Sequence, residues 1–263
     1  MSLSPSKQLN LFEHKKIFED LSKLHQNDKL PNKIILSGEK GIGKATLAYH
    51  LINFVLSKDE EKSYDYKNNK INSENKSYKL IQNKSNPNFY LIDVLQEKKN
   101  IDINQIRDLI IKLNKSSFNK KKRFVLIDNI ELLNINSINA LLKILEEPNE
   151  DVNFILIHNN RRVLSTLKSR CLNFKVNLTK DQSIKIINQI FNDDIHNIIN
   201  KKLLDNYITP GKLYKIRKFS EEYNLDLINL NLDQFLKSIL RDKIYKKDKS
   251  IIEIIFSFIE LYF

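Results

Sequence analysis

Apolar positions fall in two rhythms. Short continuous runs at Lys33–Leu36, Asn88–Val94, Phe124–Asp128, Val152–His158 and Leu172–Val176 read as strands. Segments of helical period lie between them. Leu47–Val55 is one; Ile103, Ile106, Leu109, Ile110 and Leu113 form another behind an Asp102 cap. Asn136–Glu147 is a third, with Ile138, Leu141, Leu142 and Leu145 inward and Pro148 beyond its end. Residues 9–29 also read as a helix, closed by Pro31. The run Phe124–Ile127 is apolar throughout, which predicts a strand buried on both faces, as in a parallel sheet. Strands alternating with helices predict an α/β domain. After residue 178 only helices are predicted, broken at Thr209-Pro210-Gly211.

Two stretches resist this pattern. Ser57–Asn88 is rich in Lys, Asn, Ser and Tyr without a period and reads as an exposed insertion or linker, with Tyr64, Tyr66 and Tyr78 able to dock locally. Its interleaved Lys and Tyr also suit single-strand stacking, a weaker reading than a solvated loop. Lys120-Lys121-Lys122-Arg123 reads as the solvated approach to the next strand. The apolar C-terminal stretch Ile251–Phe263 contains Glu253 and Glu260, which suits a packed or partner-facing helix better than a membrane span.

Composition narrows the classes. Lys+Arg number 44 against 32 Asp+Glu, a net charge of +12 over 263 residues. An anionic partner fits that charge, but the excess is diffuse, and a solvated basic surface fits equally well. The single cysteine, Cys171, excludes an internal disulfide and a cysteine-based zinc cluster. The first eight residues lack the apolar core of a signal peptide, and no uncharged apolar run approaches the roughly 20 residues that span a bilayer. A soluble, cytoplasmic protein is expected.

The candidate chemistry centres on Ser37–Thr46. Three of the four glycines, Gly38, Gly41 and Gly43, fall here between a predicted strand and a helix that opens with Lys44. Bare backbone N–H groups, a helix N-terminus and a lysine form a phosphate cradle. The spacing Gly38 to Lys44 satisfies G-x-x-x-x-G-K, but Ala45 stands where Ser or Thr would hold magnesium. ATP or ADP is therefore expected to bind weakly, or without hydrolysis; a glycine turn with no ligand is the bland alternative. Asp128, at the end of its strand, suits an acid holding magnesium-bound water or an ordinary cap of the following turn. His158 tips the fourth strand, where a structural and a nucleotide-facing role are both open. Arg161, Arg162, Lys168 and Arg170 cluster before the fifth.

Four motifs in this order resemble the bacterial clamp-loader AAA+ subunits over about residues 9–219: Gly41–Ala48, the Asp128 strand, Asn139-Ala-Leu-Leu-Lys-Ile-Leu-Glu-Glu-Pro148, and Thr166-Leu-Lys-Ser-Arg-Cys171. The resemblance implies a P-loop AAA+ parallel sheet flanked by helices over 1–176, a helical lid over 177–219 and a short helical collar over 220–263. It implies a replication role within a DNA polymerase complex, with gamma/tau-type and delta-type subunits, the sliding clamp and primer-template DNA as partners. By position, Gly38, Gly41, Gly43, Lys44, Ala45 and Thr46 correspond to the phosphate loop. Asp128 corresponds to the second nucleotide-binding acid, His158 to the first sensor and Lys212 to the second. Arg170 corresponds to an arginine that reaches a neighbour's ATP site.

The departures from the family pattern matter as much. Ala45 removes the magnesium hydroxyl, and Asn129 replaces the acid that would polarise water. Thr46 sits one residue late, about 100° around the helix. Some relatives carry a zinc module whose cysteines are absent from Ser57–Asn88, so no zinc is expected. An inert companion subunit with a live Arg170 fits best. A hydrolysing motor-type paralogue and a nucleic-acid-binding module are the alternatives, and Arg170 keeps a bland reading as a surface ion-pair partner.

Overall fold

A computed structural model describes residues 4–95, 98–115, 119, 121–147, 151–160, 165–229, 231–241, 243–246 and 249–260. Pro148, Arg161, Arg162 and Lys120 lie outside the described residues, as do 261–263 of the expected last helix. The elements run α1 (Lys15–Gln26), β1 (Lys33–Ser37), α2 (Lys44–Leu56), α3 (Lys76–Gln82), β2 (Phe89–Ile92), α4 (Ile103–Leu113), β3 (Arg123–Ile127), α5 (Ile135–Glu146), β4 (Val152–His158), α6 (Ser165–Lys168) and β5 (Leu172–Lys175). Then come α7 (Lys180–Phe191), α8 (Pro210–Tyr223), α9 (Leu232–Arg241) and α10 (Lys249–Ile259). Two compact units result: Ser2–Glu39 with Gly43–Val176, and Lys40–Ile42 with Asn177–Phe263.

The first unit is a parallel sheet flanked by helices, the α/β arrangement the resemblance implies. Its five strands are parallel, in the order β2-β3-β4-β1-β5. Every residue of β3 and β4 is buried, Arg123, Asn153 and His158 among them, as in strands covered on both faces. The period-3.6 positions of α4 and α5, with Leu167 of α6, pack on Val125, Ile127, Phe154 and Leu156 to form the core. Asp102 caps α4 in a capping box with Gln105, so this end is written in the local sequence. Parallel register brings Ser37 opposite His158, and Ile127 opposite both Ile92 and Leu156. The carboxyl ends of β1, β3 and β4 therefore share one edge, where ligands of α/β sheets bind.

In the second unit, Ile187, Leu213, Ile216, Phe219, Phe235, Ile239 and Phe258 belong to one apolar cluster, with the Phe235 and Phe258 rings stacked 4.0 Å apart. Thr179 and Thr209 cap α7 and α8, and Pro210 sits in the first turn of α8. Among the described residues no helix is long and apolar enough to cross a membrane.

Three expectations need correction. Residues 9–29 are not one helix. The stretch before α1 is extended: Leu11 N–H donates to Asn69 O and Ile71 N–H to Leu9 O, while Glu13 adopts a left-handed φ of 57°. Long-range pairing outweighs the local apolar period there. Ser57–Asn88 is not simply a solvated loop. Tyr64, Asn69, Ile71, Asn75, Ser77 and Ile81 are buried, and Asn53 and Asn75 exchange side-chain amide bonds of 3.0 and 3.2 Å. Phe18, Phe54, Tyr64 and Tyr66 pack ring against ring, so aperiodic tyrosines found a core in other segments. Arg123, placed in a solvated turn by sequence, is buried as the first residue of β3 and donates to Leu113 O and Lys115 O at 2.9 and 3.0 Å. Leu113 ends α4 and Lys115 lies just beyond its C-cap, and a guanidinium reaches both carbonyls without leaving the strand.

Candidate functional site

The strand β1 turns through Gly38 into a loop that reaches α2 at Lys44. Gly43 is the N-cap of α2 with φ 95°, a left-handed conformation that disfavours a Cβ, and no side chain caps the helix. The first N–H groups of α2 are thus left for an anion, as a phosphate cradle requires. Gly38 N–H donates to His158 O at 3.2 Å, tying the loop to the tip of β4. Gly41 has φ 92° and belongs to the unit of the C-terminal helices, where Gly211 N–H donates to Gly41 O at 2.9 Å.

Lys44 is buried, and its ammonium donates to Gly38 O at 2.9 Å and Glu39 O at 2.5 Å. Burial lowers its pKa to about 8, while Asp128, Glu131 and Glu39 pull it back up. Asp128 follows β3 directly, its N–H donating to Ile92 O and its Oδ1 accepting from Asn129 N–H at 2.8 Å. Burial, with Asp93 second, raises the Asp128 carboxyl to about 6. Asn129, not Asp128, is the N-cap of the turn Ile130–Leu132, in a left-handed conformation with φ 56°. The fold therefore brings Lys44, Asp128 and His158 to one edge. His158 is 4% exposed.

Sequence reasoning missed a polar chain along that edge. Asn129 Nδ2 donates to Asp93 Oδ1 at 2.9 Å, and Asn129 Oδ1 accepts from Asn159 Nδ2 at 2.9 Å. Asn159 also donates to both Glu131 oxygens, from Nδ2 at 2.8 Å and from its backbone at 3.3 Å. The amide of Asn129 is thus engaged on both sides, as an acceptor and as a donor. Asp93 directly follows Phe89–Ile92 as Asp128 directly follows Phe124–Ile127, a signal that could have flagged it.

Two more of the predicted site residues are Lys212 and Arg170. Lys212, in α8, pairs with Glu260 Oε2 at 2.9 Å. Arg170 follows α6 and is partly exposed, its side chain at 33%. Its Nη1 donates to Thr166 O at 2.9 Å and its Nη2 to Glu146 Oε1 at 2.5 Å. Cys171 beside it packs on the sheet core, and burial pushes its thiol up to about 11, so it is a poor nucleophile. Among the described residues no group of three or more His, Cys, Asp or Glu side chains is arranged to hold a metal.

A family model described as DNA polymerase III, delta subunit, matches residues 13–180. DNA polymerase III subunit gamma of Buchnera aphidicola subsp. Schizaphis graminum is 25% identical over 208 residues, 78% of this chain and 55% of that protein. Subunit delta' of the same organism is 26% identical over 219 residues, 80% of this chain and 63% of that protein. Subunit delta' of Pseudomonas aeruginosa is 36% identical over 85 residues, 32% of this chain and 26% of that protein. The chain spans less than two thirds of the length of each of these relatives. The family match spans the whole cradle, from the helix before β1 through Arg170, and with it the chain belongs to the DNA polymerase III delta subunit family.

Proposed function

We propose that this chain is a delta-prime-type subunit of a DNA polymerase III clamp loader, which supplies Arg170 in trans to the ATP site of a neighbouring subunit during sliding-clamp loading. One contrast carries the reading: a partly exposed guanidinium in the Ser-Arg-Cys turn coexists with a cradle that has no hydroxyl at Ala45 and an amide at Asn129. A guanidinium delivered in trans neutralises charge that develops on the transferring phosphoryl, an effect worth roughly 10³ to 10⁵ in rate. A subunit can lack hydrolysis of its own and still be required for its neighbour's.

The glycine loop, the free N-terminus of α2 and Lys44 fit a phosphate, whereas Ala45 does not fit magnesium. ATP or ADP is accordingly a weak ligand here. Gly38 O and Glu39 O take two of the three ammonium N–H groups of Lys44, and the third keeps its donor capacity. Asp128 and His158 would face a nucleotide as second acid and first sensor, and Lys212 would act as second sensor. The reading includes no zinc. Residues 177–219 serve as lid and 220–263 as collar; the partners are gamma/tau-type and delta-type subunits, the clamp, and primer-template DNA through the complex. The +12 charge supports proximity to DNA without assigning particular lysines.

The test is ATP turnover by the complex reconstituted with its motor subunits. Arg170→Ala is expected to lower turnover at the site it serves by roughly 10³ while the variant chain still assembles. Turnover unchanged from wild type would remove the trans role. In the same assay the isolated chain should hydrolyse ATP no faster than its Lys44→Ala variant. Brisk hydrolysis that depends on Lys44 would favour a motor-type paralogue instead.

A further inference from the structure

We propose that Glu146 is a positioning residue for Arg170: it holds the guanidinium in the orientation from which it meets a neighbour's phosphate, an inference that rests on the trans role proposed above. The contact follows from how the core is built. Leu141 and Leu145 of α5 and Leu167 of α6 are buried together, which brings the end of α5 against the turn after α6. Lys33 Nζ donates to Leu145 O at 3.0 Å and fixes that helix end from β1. Glu146 is the last residue of α5, so its carboxylate emerges at a point anchored on two sides.

Arg170 meets two acceptors of its own chain there, Glu146 Oε1 at 2.5 Å and Thr166 O at 2.9 Å. These bonds use one N–H from each terminal nitrogen of a planar group that carries five. Two points of attachment fix the guanidinium plane, and the remaining N–H groups keep their donor capacity. A free arginine would lose rotamer freedom each time it engaged a phosphate; one already held does not. The side chains of Arg170 and Glu146 are 33% and 52% exposed, so the pair contributes little to folding, and its consequence lies in orientation. The acceptor oxygen, more than the negative charge, does the positioning.

The experiment is ATP turnover by the reconstituted complex carrying Glu146→Ala, Glu146→Gln, Arg170→Ala, or Glu146→Ala with Arg170→Ala. Glu146→Ala is expected to lower kcat by roughly tenfold to a hundredfold with the KM for ATP unchanged, and Glu146→Gln, which keeps an acceptor oxygen, to restore most of it. The double variant is expected to turn over no more slowly than Arg170→Ala alone, and the melting temperature of each isolated chain to stay at the wild-type value. A silent Glu146→Ala beside an impaired Arg170→Ala would overturn the positioning role and leave the arginine's role standing. A silent Arg170→Ala would remove both. Additive losses, or failure of Gln to rescue, would also refute positioning through the acceptor oxygen.

Discussion

Asp128 and Lys44 oppose one another at the buried edge of the sheet, and each is displaced from its ordinary pKa mainly by burial. The Asp128 carboxyl, at about 6 in the folded chain against 3.8 in the unfolded one, binds its proton more tightly when folded. Its contribution to stability therefore falls as pH rises from about 4 to about 6, and stays lost above. Asp128→Asn removes that penalty: its melting temperature should match wild type near pH 4 and exceed it by a few degrees at pH 7, of order 2 kcal/mol. Thermal unfolding at the two pH values decides this; an equal difference at both would refute it. The loss of a counter-charge for Lys44 works in the opposite direction and limits the gain. The residue types of this site were legible in order and spacing, because a phosphate loop is a local arrangement of glycines and one lysine. Which groups those residues engage was not: the Asn129 amide meets Asp93 and Asn159, which come from different strand ends and meet only through sheet register.

Elements written by their own sequence were legible, and elements that depend on distant partners were not. The Asp102 box fixes α4 from residues within one turn. The stretch from Ser57 to Asn88 has no period because its order comes from other segments. The clearest case is His50, fully buried, whose Nδ1 lies 2.8 Å from the Tyr64 hydroxyl and whose Nε2 lies 3.1 Å from Gln8 O. Burial lowers its pKa to about 4, so it stays neutral and both ring nitrogens need partners. Tyr64→Phe keeps the ring packing and leaves one nitrogen unsatisfied. A loss of about 1 to 2 kcal/mol is expected, read as a lower urea midpoint with an unchanged slope. A midpoint at the wild-type value would mean that the hydroxyl does not hold this segment to α2.

At the scale of the whole chain, residues far apart in sequence are sorted into units by packing. The tip of the glycine loop, Lys40–Ile42, clusters with Asn177–Phe263 rather than with the strand that leads into it. Within that unit Thr209 Oγ1 donates to Lys40 O at 3.1 Å, and a Cβ on Gly211 would lie 2.7 Å from Gly41 Cα. Only glycine fits between two backbones at that range. Gly211→Ala is expected to cost about 1 to 3 kcal/mol, seen as a lower melting temperature of the full chain; no change would mean that the loop tip yields freely. The sequence by itself determined the alternation of strands and helices, the burial of the apolar run of β3, the cap of α4, and the identity and spacing of the loop residues. Each of these follows from periodicity or from groups within a few residues of one another. Only the tertiary structure decided that Glu146 holds Arg170, that Tyr64 is core, and where Gly211 packs. Those outcomes depend on closing loops of tens of residues, and the side chains that meet carry no mark of their partner in the local pattern.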